Sequence, residues 1–126
     1  MPPEKAEIYF SKMIVKLRPY IKSELFTLRK KGAAIELSAG IGLLSKEFFA
    51  KIFERIELLD IVDHKEAVKK SIKKEKATRK VKFNQCPIES WSPIDKYDIV
   101  LGSYTLALMN DEGVEKMLRT AWACLE

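Results

Sequence analysis

The run Ala33-Ala34-Ile35-Glu36-Leu37-Ser38-Ala39-Gly40-Ile41-Gly42-Leu43-Leu44 constrains this chain more than any other segment. It passes from a short apolar stretch, through an acidic residue, into a loop of small residues and then into a helix-like pattern. That succession is how a nucleotide-type ligand loop reads when it follows the first strand of an open α/β sheet. Gly40 and Gly42 let the backbone turn tightly and approach a ligand with no Cβ in the way. Asp60 strengthens the reading. It closes a second apolar run, Ile56-Glu57-Leu58-Leu59, at the distance where such folds place a ribose-binding carboxylate.

Around this segment the hydrophobic pattern alternates between strand and helix periods. Strands are predicted at about 33–37, 56–60, 80–85 and 97–102, and helices at about 43–54, from Asp63 towards Thr78, and from Asn110 onward. Asp63-His64-Lys65-Glu66 reads as a capping box and Asn110 as an N-cap. The last helix would turn Val114, Met117, Leu118, Ala121, Trp122 and Leu125 to its buried side. Ahead of the first strand, residues 4–18 place Ala6, Tyr9, Phe10, Met13, Ile14 and Leu17 on one helical face. Pro19 then suits the first turn of a second helix that runs to about Lys31 and stops at Gly32. Strand–helix alternation calls for a parallel sheet with right-handed crossovers. With no internal repeat and no low-complexity linker, residues 1–126 read as one domain, two N-terminal helices over 1–32 and the α/β core over 33–126.

Composition narrows the function classes. No apolar run approaches the ~20 residues of a membrane span, and no signal-peptide core precedes the first helix. The two cysteines, Cys86 and Cys124, form no CxxC, and His64 is the single histidine, so the sequence holds no zinc-ligand cluster. Reduced, buried thiols point to an intracellular protein, with cytoplasm, nucleus and organelle matrix all open. The net charge of +5 is concentrated. Between Lys65 and Lys82 there are nine basic and two acidic residues, which leaves the rest of the chain net negative by two. Lys65, Lys69, Lys70, Lys73, Lys74, Lys76, Arg79 and Lys80 read as a solvated helix face and as a stripe able to make weak nucleic-acid contacts.

Together with the strand Tyr97-Asp98-Ile99-Val100-Leu101, the 33–44 segment and Asp60 resemble the class I S-adenosylmethionine (SAM)-dependent methyltransferases. The local likeness is to the protein α-N-terminal methyltransferases, whose first motif reads like GAGIG, followed by a VD strand end and a YDV strand. It runs from about Ala33 to the C-terminus. The resemblance implies a Rossmann-like three-layer sandwich and SAM as cofactor. It implies Glu36 at the methionine end, Ser38, Gly40 and Gly42 in the loop, Asp60 on the ribose, Ile88 and Glu89 around adenine, and Ser103 after strand four. It names no catalytic residue here.

The departures from that family are specific. Ser38 replaces the first loop glycine, which is tolerable unless φ must be positive there. Leu43 stands where the family has an arginine paired with the SAM carboxylate, and Leu108 where it has a histidine able to act as a base. The reading that follows is a SAM-dependent methyltransferase-like domain. The alternative is a catalytically degenerate subunit of a larger assembly, with nucleic-acid contact through 65–82 compatible with either. Gly40-x-Gly42-x-x-Ser45 also approximates a dinucleotide loop, but Ser45 stands where that loop needs its third glycine. A class I sheet has seven strands ordered 3-2-1-4-5-7-6, and four strands give 3-2-1-4, so the fold expected is such a sandwich truncated after strand four. The nearly continuous apolar strand 98–102 would then lie at an open edge, to be covered by another protein chain or by a further C-terminal portion.

Overall fold

The computed structural model describes residues 3–40, 42–73, 81–93, 95–102 and 110–125. In chain order these form α1 (Pro3–Thr27), β1 (Ala33–Leu37), α2 (Leu43–Phe48), β2 (Arg55–Asp60), α3 (Lys65–Lys73), β3 (Val81–Gln85), a 3-10 turn (Ile88–Ser90), β4 (Ile99–Gly102) and α4 (Asp111–Cys124). The strands make one parallel sheet, as the alternation predicts, in the order β3-β2-β1-β4 that the family resemblance implies.

Alternation along the strands assigns the two faces. Ala34 of β1 and Ile56 and Leu58 of β2 pack with Ile21 and Leu25 of α1, Leu44 and Phe48 of α2, Phe49, Phe53 and Val68. Ala33, Ile35 and Leu37 meet Leu59, Trp91, Tyr97, Met117 and Cys124 on the other face. Every residue of β1 is buried, which suits the continuous apolar character of an interior parallel strand. Asp98 locks the entry to the sheet: its Oδ2 accepts from the backbone N–H of Gly32 (2.8 Å) and Ala33 (2.9 Å). A Cβ on Gly32 would sit 3.2 Å from that oxygen, so glycine serves a close approach there.

Two helical expectations are corrected. Residues 3–27 form one helix with Pro19 inside it, not two helices. Proline in a helix interior costs about 3 kcal/mol through its missing N–H and its clash with the preceding turn. Ile14, Leu17, Ile21, Leu25 and Leu28 form one unbroken stripe against the core. Burying Ile21 and Leu25 is worth roughly 1.5–3 kcal/mol each, and the half-buried Ile14, Leu17 and Leu28 add to it, so the stripe outweighs the proline and the exposed Pro19 rides on the outer face. In α4, Asn110 caps as expected, its side chain accepting from Gly113 N–H at 2.8 Å. However, the buried positions are Gly113, Met117 and Cys124, while Leu118 and Trp122 are 54% and 80% exposed. The helix beds one flank on the sheet and leaves the neighbouring flank in solvent.

Smaller differences concern ends. α2 stops at Phe48, and Phe53 N–H returns to Phe49 O before the chain enters β2. α3 begins at Lys65, whose N–H bonds to Asp63 Oδ1 at 3.0 Å, so Asp63 does act at the helix start. Lys65, Lys69 and Lys70 are exposed, and Lys74, Lys76, Arg79 and Lys80 lie outside the described residues. Among the described residues no helix is long and apolar enough to cross a membrane.

Candidate functional site

The candidate site is assembled at the C-terminal ends of β1, β2 and β3, where ligands of open α/β sheets bind. After Leu37 the chain leaves the sheet through a loop whose backbone alternates into the left-handed region. Ser38 has φ 52°, Gly40 φ 57° and Gly42 φ 80°. The glycines adopt this at no steric cost, whereas Ser38 is a non-glycine residue held at positive φ. No heavy atom lies within 4 Å of where a Gly40 Cβ would stand, so the space over that backbone is open.

Two carboxylates hold the loop. Asp60, at the end of β2, accepts from Gly40 N–H at 2.8 Å through Oδ2 and from Val62 N–H at 2.9 Å through Oδ1. Glu36 lies on β1, 1% exposed. Its Oε1 accepts from both Ser45 N–H (3.0 Å) and Ser45 Oγ–H (2.7 Å). Gly42, the residue before α2, has no side chain to cap the helix, so a carboxylate from the neighbouring strand takes one of its free N–H groups instead. Burial pushes the Glu36 carboxyl up to about 7, against the lowering effect of the two Ser45 bonds, and the charge of Asp60 adds to the rise.

The loop is fixed to the sheet as well. Ala39 N–H bonds to Leu59 O (3.0 Å), and Cys86 N–H to Asp60 O (2.8 Å), which brings the end of β3 alongside. Ile88 and Glu89 follow in the 3-10 turn. Ile88 is half-buried against the second core cluster and Glu89 is exposed, with its carbonyl accepting from Lys116 Nζ. Glu36, Ser38, Gly40, Gly42 and Asp60 are thus brought together by direct or adjacent contacts, and Ile88 and Glu89 lie one strand further along. Ser103 lies outside the described residues, as does Leu108.

Ser45 is the residue that sequence reading passed over as a functional side chain. A usable signal was present: a glutamate inside a buried strand needs a donor, and a helix that starts after glycine needs an acceptor. A second polar cluster lies on the opposite face of the sheet. There Glu57 accepts from Tyr97 Oη and Asn84 Nδ2, and Arg55 pairs with Asp95 at 2.9 Å. Both Glu57 oxygens are taken, so the cavity of about 470 Å³ beside it presents no free carboxylate oxygen from that residue.

The model of a family described as AdoMet dependent proline di-methyltransferase matches residues 4–126. The N-terminal Xaa-Pro-Lys N-methyltransferase 1 of Xenopus tropicalis is 24% identical over 87 residues, covering 68% of this chain and 39% of that protein. The DhpI–SAM–HEP complex superposes with a TM-score of 0.71 at 18% identity, over 98% of this chain and 55% of that one. Coclaurine N-methyltransferase bound to N-methylheliamine and SAH superposes with a TM-score of 0.73 at 17% identity, over 90% and 33%. The chain therefore spans about two fifths of the curated relative and between a third and just over half of these structures.

Proposed function

Since this chain belongs to the AdoMet-dependent proline di-methyltransferase family, we infer that its β1–α2 loop binds S-adenosylmethionine and that the domain serves methyl transfer to an amine. The observation that carries this reading is the loop itself. A carboxylate at the end of β2 reaches Gly40 N–H across a stretch with three left-handed residues and open space above it. That is a cradle a side chain would obstruct. The chain's own donors and acceptors suit the cofactor: Asp60 oxygens keep lone pairs for ribose hydroxyls, Glu36 is an acid for a cationic group, and Ile88 is an apolar neighbour for a base. Bound SAM supplies an electrophilic methyl on a sulfonium. The protein's part is to hold, orient and desolvate, since methyl transfer depends chiefly on alignment. The acceptor class we propose is an N-terminal amine, as the names of the family and of the Xenopus relative suggest.

Isothermal titration with SAM and S-adenosylhomocysteine tests the reading. Binding is expected, and Asp60→Ala should weaken it by about 1.5–3 kcal/mol, the scale of a lost hydrogen bond to a charged group. No heat with either ligand would refute the function. Unchanged affinity in the variant would reduce Asp60 to a turn residue.

A separate observation favours a strand-docking role for β4. Asp98 N–H points to Ala33 of β1 (2.8 Å), so the preceding Tyr97 N–H points the other way, and Cys124 O accepts it at 2.8 Å. Tyr97 and Leu125 form a parallel bridge on that outer edge. We propose that a further extended stretch, from the same polypeptide or another chain, lies along β4 from there. Amide exchange decides this for the chain as it stands, read together with light scattering. Slow exchange at Ile99 and Leu101 in an associated species supports coverage, and a stable monomer with fast exchange at those two amides refutes it.

A further inference from the structure

Between Lys12 and Lys31 there are seven basic residues and one acidic residue, Glu24. Together with the run from Lys65 to Lys82 they exceed the whole net charge, because the remainder of the chain is net negative by eight. The fold places both runs on one side. α1, α2 and α3 pack on the same face of the sheet, α1 against α2 and α2 against α3. Arg18 is engaged inside that layer, where it pairs with Glu47 at 2.8 Å. Lys12, Lys16, Lys22, Arg29 and Lys31 are exposed along α1 and its end, and Lys65, Lys69 and Lys70 are exposed on α3. The strand ends gather acids instead, Asp60, Glu89, Asp111 and Glu112. A polyanion is therefore drawn to the helical layer and repelled from the strand ends.

Two rings stand among the cations of α1. Tyr20 is 73% exposed and Phe26 90% exposed, and neither belongs to the stripe that docks the helix. Each has a lysine one turn before it, Lys16 for Tyr20 and Lys22 for Phe26, and residues four apart are neighbours on a helix surface. We propose that the outer side of α1 binds single-stranded nucleic acid, with Lys16 and Lys22 on phosphates and Tyr20 and Phe26 stacked on unpaired bases. Cations that follow the backbone and rings that meet base faces are what such binding requires. A bilayer needs a continuous apolar face, whereas the exposed Val15, Tyr20 and Phe26 are set apart by lysines. A second copy of the chain would bring like charges together. The surface lies to the side of the strand ends, so this inference is independent of the SAM reading.

The experiment is fluorescence anisotropy of the whole chain with a labelled mixed-sequence oligonucleotide, offered as a single strand and as a duplex, beside co-sedimentation with phosphatidylserine vesicles. The single strand should bind more tightly than the duplex, whose bases are already stacked on one another. With about four phosphate contacts, its affinity should fall about 50-fold between about 50 and 200 mM salt. The double variant Lys16→Ala, Lys22→Ala should flatten the logarithmic salt slope by about 1.4, since each contact to a single strand contributes about 0.7. Phe26→Ala should weaken the single strand about fivefold or more, leave the salt slope unchanged and leave duplex binding as it was. Both variants alter exposed side chains, and thermal melts check that each is folded. If Phe26→Ala is not, Tyr20→Ala should give the same selective loss. A duplex bound as tightly as the single strand would overturn the proposal, as would a salt slope that the lysine variant does not change. Vesicles that capture the chain while the oligonucleotide stays free would overturn it in favour of a lipid surface.

Discussion

Replacing Glu36 by glutamine should make the protein more stable at neutral pH than at mild acid, relative to wild type. The carboxyl ordinarily ionises near 4.5 and is pushed up to about 7 in the fold, chiefly because burial penalises the charge. Each tenfold change in proton affinity is worth about 1.4 kcal/mol, so the ionised side chain costs the native state about 3 kcal/mol. The sign follows from the raised value. The native state binds the proton more tightly than the unfolded chain, so the favourable contribution is complete below 4.5 and is lost as pH rises through about 7. Glutamine never ionises, yet its carbonyl can still accept from Ser45 N–H and Oγ–H. Urea unfolding of both proteins at pH 5 and pH 8 isolates the effect, since other titrating groups cancel in the difference. Between those two pH values the variant should gain about 2.5 kcal/mol on wild type. A difference that stays constant within about 0.5 kcal/mol would refute the argument, because it would mean that Glu36 ionises in the fold as it does in water.

Other perturbations separate local strain from long-range clamping. Ser38→Gly should stabilise the chain by about 0.5–1 kcal/mol, because releasing a left-handed non-glycine residue is worth roughly 1–2 kcal/mol and the extra freedom of glycine in the unfolded state takes part of that back. A lower melting temperature in that variant would mean that the Ser38 side chain makes a contact outweighing its φ. Asp98→Ala should cost about 2–4 kcal/mol in chemical denaturation, since it strands the N–H groups of Gly32 and Ala33 at the entry to β1. A loss under about 1 kcal/mol would show that water replaces the carboxylate there.

What the sequence determined by itself was whatever depends on neighbours in the chain. The strand Ala33–Leu37, the turn at Gly40 and Gly42 and the Asn110 cap were legible, because periodicity, glycine φ and capping hydrogen bonds act over a few residues, whereas the order β3-β2-β1-β4 was legible only through the family resemblance. Tertiary structure decided the rest. Pro19 reads as a helix start, yet it lies inside α1, because the buried stripe from Ile14 to Leu28 outweighs a local penalty. Leu118 and Trp122 fit an apolar face as well as Met117 does, but only the flank that meets the sheet is buried. Glu36 was recognisable as an acid at the end of a strand. That it would cap α2 through Ser45, nine residues away, depends on how β1 and α2 pack. Those interactions are set by distances across the core, which no local pattern in the chain encodes.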